Sequence, residues 1–326
     1  MAREMKYLSV CSGIEAATVA WHSLGWEPQA FSEIEKFPSQ VLKHHYPNVP
    51  NLGDMTKFEE WNLGTIDLLV GGTPCQSFSV AGLRKGLDDP RGNLMLTYGA
   101  IANRFRPRWL VWENVPGVLS SNGGRDFGSF LGMLGELGYG WAYRVLDAQY
   151  FGVAQRRRRV FVVGYLGNWR RAAAVLFERH SLQGHPAPSR EAGKAVAPTV
   201  GTGAPFSRTG NDRVEYDALV AQCLTTGTGQ RYDGSNGWGI NTEGTAYTLD
   251  SAQQAVQTAM QVRRLTPREC ERLQGFPDNY TDIRPNGKDT ADGPRYKALG
   301  NSMAVPVMAW IGKRINLAVN LAAMRH

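Results

Sequence analysis

The side chains with the most reactive potential lie in one stretch, Gly71-Gly72-Thr73-Pro74-Cys75-Gln76-Ser77-Phe78-Ser79. A thiolate is a strong nucleophile near neutral pH when a neighbour favours its ionised form. A cysteine can also be a small apolar filler. A filler does not need Gly-Gly before it, proline beside it and a glycine-rich loop after it, and Cys75 has all three, the loop running from Gly82 to Gly92. A second reactive position is Glu113, in Trp109-Leu110-Val111-Trp112-Glu113-Asn114-Val115. A carboxylate at the end of a parallel strand, in a partly dry pocket, can be tuned toward protonation. A third is Gln155-Arg156-Arg157-Arg158-Arg159, which runs into Val160-Phe161-Val162-Val163. Side chains alternate along a strand, so Arg157 and Arg159 share one side, and Arg156 and Arg158 the other.

The elements that must position these groups follow from the hydrophobic pattern. Asp67-Leu68-Leu69-Val70 is short, apolar and closed by glycine, which predicts a buried strand ending at the cysteine loop. Lys6–Cys11 predicts a first strand, with a turn at Ser12-Gly13 and a helix over Ile14–Leu24. Strand, tight turn and helix open a nucleotide-binding α/β fold. A second strand is expected at Gln29–Glu33, where a terminal carboxylate can accept hydrogen bonds from ribose hydroxyls. Further helices are expected at Phe37–Tyr46, Leu94–Phe105 and Phe127–Leu137, and a strand at Ala142–Leu146. Asp54 follows Gly53 in a turn.

Taken together, Pro74-Cys75-Gln76 behind Gly71-Gly72, Glu113-Asn114-Val115, the Arg157/Arg159 strand, Arg268-Glu269-Cys270 and Gly300-Asn301-Ser302 resemble the ordered motifs of the DNA cytosine-5 methyltransferases. The resemblance covers nearly the whole chain. It implies S-adenosyl-L-methionine as cofactor, S-adenosyl-L-homocysteine as product and double-stranded DNA as substrate. Cys75 would attack the base, Glu113 would contact N3 and the amino group, and Arg157 and Arg159 would face the target cytosine. Cys11, Ser12, Gly13 and Ile14 would line the methionine and ribose side, with Glu33 on the ribose. Ile34 would lie on the adenine and Asp54 on its amino group, and Met55, Pro74, Leu94, Asn301 and Ser302 would complete the cofactor set. The family pattern Asp-Leu-Phe-x-Gly-x-Gly-Gly reads here Ser9-Val10-Cys11-Ser12-Gly13-Ile14-Glu15-Ala16, so Cys11 stands for the usual aromatic. Ile34 is a second loss of aromatic surface.

The loop after Cys75 would act as a lid on nucleic acid, with Gln76, Ser79, Arg84, Lys85 and Arg91 meeting DNA. The fold implied is α/β: a Rossmann-like, mostly parallel mixed sheet plus a smaller, mainly β and irregular target-recognition domain. Residues 1–166 with 298–326 would form the catalytic domain and 167–297 the small one. In the latter, about 170–262 holds a weak repeat: Ala197–Gly203 is echoed by Cys223–Gly229 and more loosely by Ala246–Asp250. Arg231 is among its candidate DNA contacts. Thr266, Pro267 and Glu269 predict a capped helix running to Gln274. Tyr296–Pro306 is expected to open a long apolar helix that runs through Met324.

Composition agrees with a packed nucleic-acid enzyme. The 326 residues carry 42% hydrophobic and 20% charged side chains, which excludes a disordered chain. The net charge is +7, and residues 263–326 hold 11 basic and 6 acidic side chains. That favours a polyanionic partner. Four scattered cysteines without a Cys-x-x-Cys pair make a structural zinc site unexpected. No signal-peptide core or membrane-length apolar run is present, so a cytoplasmic, monomeric protein is expected, with a cognate restriction enzyme as a possible partner. A tRNA cytosine-5 methyltransferase and a catalytically silent nucleic-acid-binding relative are the alternatives.

Overall fold

The computed structural model describes residues 4–74, 94–178, 223–225, 239–241, 254–258 and 261–323. The chain forms two compact units: residues 1–146, 158–186 and 307–326, and residues 147–157 with 187–306.

The first unit is built on β1 (Lys6–Val10), β2 (Glu27–Ser32), β3 (Leu68–Gly71), β4 (Trp109–Asn114), β5 (Tyr139–Asp147) and β6 (Arg158–Leu166). Their order in the sheet is β2-β1-β3-β4-β6-β5. β1 pairs parallel with β2 and β3, and β3 parallel with β4, while β6 runs antiparallel to β4. The expected mixed, mostly parallel α/β sheet is therefore present. Register aligns the strand ends: Val10 lies opposite Ser32 and Gly71, and Gly71 opposite Trp112. Gly71 sits where a Cβ would come within 2.7 Å of the Val10 carbonyl oxygen, so only glycine fits.

Alternation explains the packing. Leu8, Val10, Leu69, Leu110, Trp112, Val160 and Val162 belong to one buried cluster with Met95, Tyr98, Ile101, Phe130 and Leu134. The latter come from α3 (Leu94–Phe105) and α4 (Arg125–Glu136), which follow α1 (Ala16–Trp21) and α2 (Lys36–His45). The helix expected from Ile14 starts at Ala16, because Glu15 adopts a left-handed φ of 64° and caps it. α2 and α4 each begin a residue or two before their expected starts, and β5 is longer than expected. α5 (Trp169–Leu176) was not foreseen; its apolar residues Ala172, Val175 and Leu176 are buried.

In the second unit, β7 (Cys223–Thr225), β8 (Gly239–Asn241), β9 (Gln254–Thr258) and β10 (Gln261–Arg264) form an antiparallel sheet in the order β10-β9-β7-β8. The second repeat copy supplies β7; the copies at 197–203 and 246–250 lie outside the described residues. α6 (Pro267–Gln274) has the expected capping box: Thr266 Oγ1 accepts from the Glu269 N–H, and the Glu269 carboxylate accepts from the Thr266 N–H. Gly275 ends it with φ 80°. α7 (Asp292–Asn301) was also not foreseen as a helix of its own. Buried Glu271 accepts from Asn279 N, Thr281 N and Arg295 Nη2, tying α6 to α7.

α8 (Val305–Ala323) belongs to the first unit from Val307 onward. There Trp21 Nε1 donates to the Met308 carbonyl at 2.8 Å, and a Cβ on Gly312 would meet the indole at 2.4 Å. Arg314 gathers the carbonyls of Ala174, Val175 and Phe177 at the end of α5 and pairs with Glu178 at 2.7 Å. Among the described residues, no helix is long and apolar enough to cross a membrane.

Candidate active site

Parallel strands deliver their following loops to one edge, where ligands meet open α/β sheets. Here that edge carries the residues after β1, β2 and β3 and the last residues of β4, and antiparallel β6 brings its starting arginines to it.

On the β1–β2 side, Cys11 and Gly13 take left-handed φ values of 49° and 56°. Gly13 N donates to Glu33 Oε2 at 2.8 Å, and Glu35 N to Glu33 Oε1 at 2.7 Å. The Glu33 carboxylate is thus oriented by main-chain donors. Ile34, next to it, is 73% exposed. Asp54 caps the following turn, accepting from Thr56 N at 2.9 Å. Cys11 Sγ lies 3.4 Å from Met55 Sδ. Burial, then Glu33, then Asp54 push the Cys11 thiol up to about 12, which keeps it neutral. Ser12 bridges β1 and β2: its hydroxyl donates to the Ser9 carbonyl and accepts from Ser32 N. The Ile14 side chain is fully buried, so any ligand contact it makes goes through its main chain.

Glu15 belongs to this loop and was not among the expected site residues. It is 1% exposed; its carboxyl accepts from the Ser9 and Thr18 hydroxyls and from Thr18 N at 3.1 Å. The Thr18 hydroxyl in turn lies 2.7 Å from the Tyr7 hydroxyl. Burial raises the Glu15 carboxyl above its ordinary value, and the hydrogen bonds offset part of that rise.

On the β3–β4–β6 side, the chain leaves β3 through Gly72 and Thr73. Trp112 Nε1 donates to Thr73 Oγ1 at 3.0 Å, and Asn114 Nδ2 to the Thr73 carbonyl at 2.9 Å. The Asn114 side-chain oxygen, Oδ1, accepts from Val115 N at 2.8 Å. Alternate residues of β4 therefore clamp the backbone two positions before Cys75. Pro74 is exposed, and Leu94 is half-buried at the start of α3. Cys75, Gln76, Ser79, Arg84, Lys85, Arg91 and Arg231 lie outside the described residues.

Glu113 is 9% exposed, and its Oε1 lies 3.1 Å from Arg159 Nε. Arg159 Nη1 also donates to the Arg158 carbonyl at 2.8 Å. The alternation holds: Arg157 and Arg159 are buried, while Arg156 is half-buried and Arg158 exposed. A carboxylate removed from water needs such a partner. Arg157, within the second unit, reaches the carbonyls of Gly300 at 2.9 Å and Ser302 at 2.7 Å. Its own N–H donates to the Asp147 carboxylate. Asn301, the last residue of α7, is exposed, and Ser302 is buried with its hydroxyl on the Met303 carbonyl.

The edge thus carries a buried carboxylate–guanidinium pair, Glu113 with Arg159, beside the strand that leads to a cysteine loop. The model of the family of C-5 cytosine-specific DNA methylases matches residues 5–317, and the chain belongs to that family. Among relatives, the DNA N-6-adenine-methyltransferase of Escherichia phage P1 is 37% identical across 97% of this chain, which spans 62% of the phage protein. The type II methyltransferase M2.BsuMI of Bacillus subtilis is 29% identical across 96% of this chain and 75% of its own length. M.SsoII of Shigella sonnei is 30% identical, with 95% and 79% covered. A crystal structure of a prophage-encoded E. coli protein, described as a DNA modification methyltransferase, superposes with a TM-score of 0.61. It covers 97% of this chain and 100% of that one, and at 17% identity the likeness is one of fold.

Proposed function

We propose that this chain transfers a methyl group from S-adenosylmethionine to C5 of cytosine in double-stranded DNA, through a transient bond between Cys75 and C6 of a flipped-out base. The observation that carries this reading is the buried Glu113–Arg159 pair at the end of β4. C5 is a poor nucleophile within an aromatic ring. When the Cys75 sulfur bonds to C6, the ring's electrons shift toward C5 and onto N3. Glu113, passing a carboxyl proton to N3 and accepting from the amino group, balances that charge, and Arg159 meets the O2 edge. S-adenosylmethionine, held by the residues after β1 and β2, would supply the electrophilic methyl group for C5, with S-adenosylhomocysteine as the leaving product. C5 then loses its proton to a base or water, the Cys75–C6 bond breaks, and aromaticity returns. The atom attacked is inaccessible in a stacked duplex, so the base must leave the helix, at a cost of a few kcal/mol. Glu33, Ile34 and Asp54 hold the nucleoside end of the cofactor. The basic side chains after Cys75 meet DNA phosphates, and the region about 170–262, with Arg231, reads the sequence.

The phage P1 relative is named for adenine N6. Transfer to an exocyclic amine needs no thiol addition to the ring, so dependence on Cys75 separates the two reactions. The test is to incubate the protein with methyl-labelled S-adenosylmethionine and unmethylated DNA, then digest to nucleosides. Label in 5-methylcytosine, abolished by Cys75→Ala, is expected. Label in N6-methyladenine, or in tRNA but not DNA, overturns the proposal.

A further inference from the structure

Asn51 is an exposed residue with no titratable group and no part in the expected chemistry, yet its side chain uses the whole capacity of an amide. An amide oxygen accepts two hydrogen bonds and its nitrogen donates two. Asn51 Oδ1 accepts from Glu33 N at 3.0 Å and from Gly53 N at 3.2 Å. Asn51 Nδ2 donates to the Glu33 carbonyl at 3.0 Å and to Ser39 Oγ at 3.1 Å. Both donors face the oxygen and both acceptors face the nitrogen, so the network itself sets the orientation of the amide.

The backbone makes the same link. Asn51 bridges in parallel to Phe31, extending the edge of β2 by one position. Phe31 N donates to the Pro50 carbonyl at 2.9 Å, and Leu52 N to the Phe31 carbonyl at 2.8 Å. Glu33 is therefore gripped on both sides of its own peptide unit from a segment 18 residues away, while its carboxylate is aimed by Gly13 and Glu35. The same amide holds Gly53, the residue before Asp54.

We infer that Asn51 is a positioning residue for cofactor binding: it holds the Glu33 main chain so that the carboxylate stays aimed, and sets the Gly53-Asp54 turn against it. This rests on the cofactor role proposed for Glu33. No other side chain of similar size repeats the pattern. Aspartate has no donors and adds a charge beside Glu33, serine is too short to span two segments, and alanine leaves the Glu33 and Gly53 N–H groups to water.

Binding of S-adenosylhomocysteine to the full chain, measured by titration calorimetry, tests the inference. Asn51→Ala and Asn51→Asp are expected to weaken binding roughly tenfold, the equivalent of losing one or two net hydrogen bonds, with melting temperatures close to that of the unsubstituted protein. In a Glu33→Ala background, Asn51→Ala is expected to cost less than about threefold, because its object is already gone. Unchanged affinity in both Asn51 variants overturns the inference, and so do losses at Asn51 and Glu33 that simply multiply. Should Asn51→Ala fold poorly, Asn51→Asp alone, with its unaltered volume, carries the comparison. A Glu33→Ala variant that binds S-adenosylhomocysteine like the unsubstituted protein overturns the cofactor reading beneath it, a result distinguishable from failure at Asn51.

Discussion

Glu33 and Glu113 both stand at the end of a parallel strand, and the protein holds them by opposite means. Glu33 lies at the half-buried edge of the sheet, oriented by neutral N–H groups of Gly13 and Glu35. Glu113 is buried and is held by the charge of Arg159. Neutral donors aim a carboxylate without neutralising it, which suits a group that must accept from the hydroxyls of a ligand. A guanidinium both aims and compensates, which a carboxylate away from water requires. The difference teaches that the environment, rather than the residue type, decides what a strand-end carboxylate is for.

The largest expected effect that tests this contrast is on turnover. Glu113→Gln should lower kcat by about a hundredfold or more, the scale of losing one preorganised group at a developing charge, while cofactor affinity stays within about twofold. Equal losses in kcat and cofactor affinity would mean that the two carboxylates share one task, and the contrast would collapse. Next comes stability. Arg159→Met removes the guanidinium beside buried Glu113 and should cost about 3 kcal/mol in urea unfolding. Adding Glu113→Leu should recover most of that loss, which sharpens the contrast. Glu33→Ala should behave in the opposite way: cofactor affinity falls about tenfold, whereas stability changes by less than ~0.5 kcal/mol, as for a surface position.

The smallest effect concerns Glu15, a third carboxyl in the same edge region, held only by hydroxyls and one N–H. Burial raises its folded-state value above the ordinary 4.5. The stability contributed by its protonated form is therefore complete below pH 4.5 and is lost as pH rises through the higher folded value. Glu15→Gln, which mimics the protonated group, should melt with the unsubstituted protein near pH 4 and above it near pH 8. Parallel melting curves at the two pH values would show that Glu15 is ionised in the fold.

Local signals carried much of this architecture into view from sequence alone. The capping box at Thr266–Glu269 lies within one turn of helix, so composition reveals it. The arginines of β6 alternate by the geometry of a single strand. The short apolar strand before the cysteine loop has turn residues on one side. What stayed hidden depends on distant partners. Asn51 meets Glu33 across 18 residues, and Thr73 meets Trp112 and Asn114 across about forty; neither pairing has a local signature. α7 contains Gly293, Pro294 and Gly300, poor helix formers, and its buried Arg295 on Glu271 and Thr281 offsets that. At Glu15 the usual pattern has glycine, and only the structure shows that a glutamate there takes a left-handed φ and turns inward to Ser9.

Arg314 and Glu178 bear on how such a protein can change over time. The guanidinium ties off the last carbonyls of α5, near the end of the first unit's middle segment. The end of α5 is therefore fastened to α8. Changes of length further along the chain begin from a point fixed on α8. Aligned positions with the phage P1 relative number 466, more than this chain's 326 residues, so that protein accommodates long inserted segments. A fastened helix end lets chain length vary further on while the packing of α5 on α8 is kept.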